Sequence, residues 1–511
     1  MIAALLAATA GLLLAGALPP AGVWPLLAAL ALPFALIARA ETVRAAFWVG
    51  AAFALGFFAL YIAWLPLSFA DPGLLGPWFW ALHPLLLAVL AAMWGLTAAA
   101  ARLLGGRGTA TLLVLAPLWV GVEHLRSTGY FAFPWGTLGY AWVDTAPGQL
   151  ADLLGVGGLS LLTTVVAALL AAPFVATPGR ATRPPRRRAW IAPLVAAALL
   201  AGAWLGGAAA FGRHDVTADR SALLVQGNVD PFGRAASAAE ELDIHLELTR
   251  LGAARMAAPP ELVVWPEGAT IGIELEGARG AENRARVQAA APASAFVVGG
   301  RGRLAARGQL PEGGSNAAFS LADGQLLGRY DKHVLVPFGE RWPLIDELSG
   351  LYRTVFGLLG LPLLASTVPG PGPAVLPSVV APLGVGICYE SVFPGISAAM
   401  ARAGAEALVV VTNDAWFARG DGARQHLDMG RMRAIETRRW LLRAGNDGIT
   451  AVVDPYGRVV AELDRRVAAS LPARFGTSER VTFYARHAER WPWVLLGLAL
   501  LGVVAARRPR P

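Results

Sequence analysis

The sequence predicts a two-part architecture: a polytopic α-helical membrane domain of eight transmembrane helices, and a layered α/β domain inserted ahead of the last of them. Three observations predict it. Hydrophobic residues make up 56% of the 511 and charged residues only 15%, too apolar for an ordinary soluble protein. The apolar residues are also unevenly placed. Residues 1–210 are a series of long Leu/Ala/Val/Phe/Trp segments, 211–485 have a globular composition, and 491–506 turn apolar again. Within 211–485, short apolar runs alternate with stretches of helical periodicity. The domains follow as 1–210 with seven membrane helices, 211–485 as the α/β domain, and 486–511 as the last helix and a tail.

A spanning helix needs about 20 mostly apolar residues, with about 17 as a lower limit. Spans are expected near 2–18, 23–38, 46–68, 78–100, 109–125, 155–176, 190–210 and 490–506. The loop charges agree with eight. Arg39 and Arg44 follow the second span, Arg102 and Arg107 the fourth, and Arg180, Arg183, Arg186, Arg187 and Arg188 the sixth, while Arg507, Arg508 and Arg510 close the chain. The intervening short loops contribute only Arg126. Basic loops mark the cytoplasmic side, so both termini are expected there, with 211–485 on the opposite face. Residues 1–18 lack the basic leading region of a secretory signal and read as an uncleaved anchor. The net charge of +8 is accounted for by the inner-face arginines and calls for no nucleic-acid partner.

In the α/β domain, strands are expected at 221–227, 262–265, 295–299, 316–321, 325–330, 383–388, 407–411 and 449–453. Helices fit 236–257, 281–291, 394–403 and 424–440. Ala322-Asp323-Gly324 and Asp454-Pro455-Tyr456-Gly457 are hairpin turns that add antiparallel pairs. The single cysteine excludes an internal disulfide, and 211–485 is long enough to bury a core without one.

That cysteine, Cys388, ends the apolar run from Leu383, where a buried strand gives way to a turn and a helix. A bend of this kind can raise a nucleophile among backbone N–H groups that receive an oxyanion, with Tyr389 N–H a candidate donor. A lone cysteine in an apolar run is ordinarily a small core residue, and its partners decide the reading. Glu267 follows another buried strand between Pro266 and Gly268, and can cap, pair, or take a thiol proton. Lys332 is the sole lysine among 43 lysines and arginines. A chain that uses arginine for its surface charges has kept one compact ammonium, suited to stabilising a thiolate and then a tetrahedral oxyanion. Three strand-end residues of complementary type point to acyl-transfer chemistry.

Around them, Glu340 can orient Lys332 or an incoming amine, and Glu390 can fix the turn or assist proton transfer. Tyr389, Trp416 and Phe417 are candidate walls of an acyl pocket. Asn316, Asn413 and Asp414 read as turn and scaffold groups, and His426 with the arginines after it as a packed or charged face. The segment 351–364 is unusually apolar for a linker, either a core piece or a lid, with Phe356, Leu358 and Leu359 as its candidate pocket residues. No histidine pair has metal-ligand spacing, so neither metal nor cofactor is expected.

These motifs resemble the nitrilase superfamily and, more closely, its membrane branch, the apolipoprotein N-acyltransferases. The resembling runs are Phe133–Tyr140, Val225–Asn228, Trp265–Gly268, Tyr330–Glu340, Gly386–Glu390 and Asn413–Phe417, so the resemblance covers essentially the whole chain. Many relatives carry a tryptophan shortly after the Gln-Gly-Asn run. Here Val229–Arg234 has none, and Phe232 is its aromatic residue.

The resemblance implies an αββα catalytic domain in the periplasm of a bacterial inner membrane. It also implies Cys388 as nucleophile, Glu267 as base, Lys332 as stabiliser, and Glu340 and Glu390 in support. The sn-1 acyl chain of a phospholipid such as phosphatidylethanolamine would pass to Cys388 as a thioester. It would then pass to the α-amine of a diacylglyceryl-modified N-terminal cysteine on a lipoprotein. Two rivals stand beside this reading. A membrane-tethered amidase would use the same three residues but pass the acyl group to water. A transporter or receptor that has lost catalysis would carry charge inside its spans, which are almost free of it.

Overall fold

A computed structural model describes residues 1–68, 76–175, 190–214, 216–229, 238–303, 314–342, 344–359, 367–417 and 420–507. Arg180, Arg183, Arg186, Arg187, Arg188, Phe232, Arg508, Arg510, the part of 351–364 from 360 onward and the side chain of Leu359 lie outside the described residues. The chain divides into two compact units. One is Met1–Arg213 with Arg419–Asp428 and His487–Pro511, and the other is His214–Ala418 with Met429–Arg486.

The first unit is helical. Among the described residues, five segments are long and apolar enough to cross a membrane: Val43–Ser68, Leu82–Gly105, Ala146–Phe174, Ile191–Ala210 and Phe483–Ala505. Three shorter apolar helices, Ile2–Ala15, Trp24–Arg39 and Thr109–Leu125, lie at the other three positions where spans are expected. The first stops at Ala15, short of the expected 18, because Gly16 and the Pro19-Pro20 pair do not continue a helix. Small residues let these helices approach closely. A side chain at Gly11 would begin 2.1 Å from the Phe53 carbonyl oxygen, so only glycine allows helix Ile2–Ala15 to pack on helix Val43–Tyr61 at that point.

Arg126, the exception in the charge alternation, is buried and clamps the loop that follows it. Its guanidinium donates to the carbonyls of Phe133 and Trp135 and, at 3.1 Å, to Thr137 Oγ1. Glu123 Oε1 accepts the Leu138 N–H at 3.1 Å in the same cluster. The Phe133–Tyr140 motif is therefore shaped by two buried polar side chains, Arg126 and Glu123. The segment Arg419–Asp428 joins this unit through Gln425, which accepts from Trp64 Nε1 at 2.9 Å and donates to the Tyr61 carbonyl at 3.0 Å.

Among the described residues the second unit has twelve strands: β1 (Arg220–Gln226), β2 (Leu262–Val264), β3 (Ala295–Gly302), β4 (Ser315–Ala322), β5 (Gln325–Asp331), β6 (Val375–Leu376), β7 (Leu383–Ile387), β8 (Ala407–Thr412), β9 (Leu441–Gly445), β10 (Ala451–Val453), β11 (Val459–Glu462) and β12 (Ala469–Phe475). They form two six-stranded sheets, ordered β12-β1-β2-β3-β4-β5 and β11-β10-β9-β8-β7-β6. The sheets face each other, β1 against β9 and β4 against β7. Helices Ala238–Ala254 and Gly277–Ala290 cover the first sheet, and Pro394–Arg402 covers the second. The centre of each sheet is parallel, β1-β2-β3 and β7-β8-β9, and the flanking pairs are antiparallel. Parallel strands covered on both faces read as unbroken apolar runs, which is what Leu383–Ile387 and Ala407–Thr412 are. Both expected hairpins form, β4 to β5 and β10 to β11.

The expected helix at 424–440 ends at Thr437, because Arg438 takes a left-handed conformation (φ 53°) and the chain then enters β9. The apolar stretch from 351 belongs to helix Ile345–Leu359.

Candidate active site

Glu267, Lys332 and Cys388 all lie at carboxyl ends of strands, where the chain leaves the sheet and side chains can converge. Glu267 follows β2 through Trp265 and Pro266, and the turn is pressed against β3. A Cβ on Gly299 would sit 2.3 Å from the Pro266 carbonyl oxygen and 2.7 Å from Glu267 Cα, so glycine at 299 is what lets this turn close. Lys332 directly follows β5, its backbone N–H bonded to the Asn316 carbonyl at 2.8 Å. Cys388 directly follows β7 with φ 51°, a left-handed conformation that costs a non-glycine residue about 1–3 kcal/mol. The tight turn Cys388–Val392 begins there, held by Ser391 Oγ donating to the Cys388 carbonyl at 2.9 Å.

Lys332 and Asn316 bridge two carboxylates. Lys332 Nζ donates to Glu267 Oε1 at 3.2 Å and Glu340 Oε1 at 2.9 Å. Asn316 Nδ2 donates to the same two oxygens at 2.7 and 2.8 Å. The outer oxygens are also used: Glu267 Oε2 accepts the Asn413 N–H and Glu340 Oε2 the Val336 N–H, each at 2.9 Å. The lysine side chain is only 1% exposed. Burial alone would pull its pKa down, but Glu267 and Glu340 outweigh that and hold it above the ordinary lysine value. The two carboxylates favour the charged ammonium.

The Cys388 thiol is pushed well above the ordinary thiol range, first by burial and then by the negative charge of Glu267, with Asp414 adding to it. Lys332 and the neighbouring Thr412 side chain pull the other way. The sulfur therefore carries its proton at rest, beside a carboxylate and an ammonium.

Glu390 lies apart from that cluster and is wholly buried. Its Oε1 accepts from Tyr330 Oη at 2.9 Å, His333 N–H at 2.7 Å and Val334 N–H at 3.1 Å, and its Oε2 accepts from Ile387 N–H at 2.9 Å. One carboxylate thus ties the backbone just after Lys332 to the backbone just before Cys388. Burial raises its pKa against the opposing pull of those three N–H bonds.

The candidate pocket residues divide. Tyr389 is buried edge-on to Phe393 at 5.2 Å, Trp416 is exposed and Phe417 half-buried. Phe356 is buried, edge-on to Trp342 at 4.7 Å and 6.2 Å from Tyr352, whereas Leu358 is 82% exposed. Helix Ile345–Leu359 is therefore amphipathic in an unusual sense. Phe356 anchors its aromatic side, and Leu348, Leu351, Val355 and Leu358, at helical spacing, leave an apolar stripe uncovered.

Comparison with known proteins bears on the whole chain. The carbon-nitrogen hydrolase family matches residues 222–469, and the apolipoprotein N-acyltransferase N-terminal domain matches 10–169. An apolipoprotein N-acyltransferase of Azotobacter vinelandii is 35% identical over 99% of this chain and 95% of its own. That of Geobacter metallireducens is 32% identical over the same shares, and that of Caulobacter vibrioides 34% identical over 98% and 94%. The chain belongs to the apolipoprotein N-acyltransferase family. An amidase from Nesterenkonia sp. superposes on 54% of this chain and 98% of its own with a TM-score of 0.39 and 22% identity.

In this N-acyltransferase, three contributors escaped the sequence reading. Asn316 reads from sequence as a scaffold polar group, yet its amide spans both carboxylates. Its signal was a lone amide on a buried strand of small residues, which needs partners it cannot find in its own strand. Gly299 and the buried Asp414–Arg443 pair at 2.6 Å carry no such signal, because their meaning depends on what packs against them.

Proposed function

We propose that the chain crosses the membrane eight times with both termini in the cytoplasm, and that the α/β domain lies in the periplasm. The three shorter helices are of 14 to 17 residues and coincide with expected spans, and eight crossings keep every arginine cluster on one side, with the lone Arg126 opposite. The enzyme is an acyltransferase of the inner membrane that acylates the N-terminus of lipoproteins. Its acyl donor is the sn-1 ester of a phospholipid, phosphatidylethanolamine first among them, and its acceptor is the α-amine of a diacylglyceryl-cysteine.

The observation that carries the mechanism is the buried Lys332 bridging Glu267 and Glu340 beside Cys388. Glu267 takes the thiol proton as Cys388 attacks the ester carbonyl, and Lys332 balances the negative charge that moves from sulfur to the carbonyl oxygen. The ester C–O bond breaks, the lysophospholipid oxygen takes the proton from Glu267, and the acyl chain remains as a thioester. In the second half, the acceptor amine attacks the thioester and gives its proton to Glu267. The C–S bond breaks and Glu267 returns that proton to the departing sulfur. Glu340 fixes the ammonium, Glu390 fixes the two chain segments that carry Lys332 and Cys388, and Tyr389 N–H serves the oxyanion. Trp416, Phe417 and the uncovered stripe of helix Ile345–Leu359 meet the acyl chains.

Intact-protein mass spectrometry tests this reading. Incubation with a defined phospholipid is expected to give an acyl adduct on Cys388, discharged by a diacylated peptide amine. Discharge only to free fatty acid would favour an amidase-like hydrolase, and no adduct at all would overturn the thioester mechanism.

A further inference from the structure

Behind the sulfur lies a buried polar chain that the mechanism above does not use. Strands β7 and β8 are parallel with Ile387 opposite Val411, so the next residues, Cys388 and Thr412, emerge side by side. The Thr412 side chain acts on the sulfur and favours its charged form. Its hydroxyl also donates to Asp414 Oδ1 at 2.9 Å, and Asp414 Oδ2 is paired with Arg443 Nη2 at 2.6 Å. Thr412, Asp414 and Arg443 are all fully buried.

A hydroxyl has one hydrogen and two lone pairs. With its hydrogen on Asp414, Thr412 can only accept from a protonated thiol. A sulfur anion offers nothing to accept and needs a donor. We propose that Thr412 is a positioning residue for the nucleophile, its hydroxyl turning from Asp414 to the sulfur whenever that sulfur becomes an anion. The inference rests on Cys388 being the nucleophile. No proton leaves Thr412; only the direction of its hydrogen bond changes. Arg443 makes the turn tolerable, because it keeps Asp414 paired while the hydroxyl is away. The same donor serves twice, when the thiol is deprotonated for attack and when sulfur departs from the thioester. Of the other charged groups acting on the sulfur, Glu267 opposes the anion and Lys332 favours it, and neither can reverse its role as the sulfur charges and discharges.

The bland alternative is that Thr412 merely packs the strand end. Two substitutions separate the roles. T412V keeps the shape and removes the hydroxyl, whereas T412S keeps the hydroxyl and removes a methyl. Because the chain has a single cysteine, alkylation of the full-length enzyme by iodoacetamide, followed by intact mass, reads Cys388 alone. A hydrogen bond to a charged group is strong enough that T412V is expected to slow alkylation at pH 8 by about 10- to 100-fold. Its kcat for acyl transfer should fall comparably with KM unchanged, and T412S should stay within about threefold of wild type. The reverse order, T412S impaired and T412V normal, would assign packing and overturn the inference. Should T412V not fold, T412S against T412A carries the same contrast, and equal rates for that pair would refute it. A wild-type enzyme that forms no Cys388 thioester overturns the functional reading. An acylated wild type with T412V reacting equally fast overturns only this inference.

Discussion

Replacing Lys332 by methionine keeps the length of the side chain and removes its charge, which leaves Glu267 and Glu340 facing each other across Asn316. Both Oε1 atoms accept from one amide nitrogen, at 2.7 and 2.8 Å, so they are no more than about 5.5 Å apart. Two like charges at that separation repel by about 3 kcal/mol at an effective dielectric of ~20. Uptake of one proton by the pair relieves the repulsion, so the deficit of K332M relative to wild type is largest where both carboxylates are ionised and shrinks as pH falls. The assay is the unfolding midpoint of the detergent-solubilised protein and of K332M, measured from pH 8 to pH 5. A 3 kcal/mol loss at pH 7 corresponds to a drop of roughly 6–12 °C, shrinking toward pH 5. A variant that matches wild type at pH 7, or a deficit that does not change with pH, would refute the claim that Lys332 separates two ionised carboxylates.

Two further outcomes test the surroundings. In E390Q the amide keeps one acceptor oxygen for Tyr330, His333 and Val334 but turns an NH2 toward the Ile387 N–H. The orphaned buried donor should lower stability by about 1–3 kcal/mol. Turnover per folded molecule, read by single-turnover acylation, should fall as well, because the segment that carries Cys388 loses its anchor at Ile387. On helix Ile345–Leu359, L358Q should leave the melting temperature unchanged and slow phospholipid turnover in vesicles, whereas F356A, which empties a buried aromatic site, should destabilise by about 3–5 kcal/mol. If L358Q turns over lipid at the wild-type rate, the exposed stripe does not meet the acyl chains.

What was legible in the sequence was whatever leaves a periodic or a chemical trace. Hydropathy located the helical segments, and unbroken apolar runs located β7 and β8, because strands buried on both faces have no polar alternation to hide in. The strand-end positions of Glu267 and Cys388 followed from such runs, and that of Lys332 from the strand after the Ala322-Asp323-Gly324 turn. The strands that escaped are of another kind. β9 contains Arg443, which reads as a surface charge until Asp414 is found beneath it, and β12 is an edge strand carrying Pro472. Phe356 and Leu358 looked alike in sequence and proved to be opposite in exposure, since an apolar segment does not announce which of its faces is covered.

The single lysine is explained by comparing it with the buried arginines. Arg443 fits a planar fork against Asp414 and the Ile449 carbonyl, and Arg439 reaches the Thr437, Arg480 and Ala401 carbonyls. Those are static tasks, and a rigid fan of donors suits them. At 332 the donors must be arranged differently. The nitrogen holds two carboxylates on different chain segments, and the proposed mechanism asks its remaining N–H to serve a charge that appears on sulfur and then on an ester oxygen. A tetrahedral ammonium can point three donors in three directions from one atom. A guanidinium confined to a plane would match one carboxylate in bidentate fashion and draw Glu267 away from the thiol that the proposed mechanism has it deprotonate. A chain with one lysine among 43 lysines and arginines therefore places it where the arrangement of donors, rather than charge alone, is required.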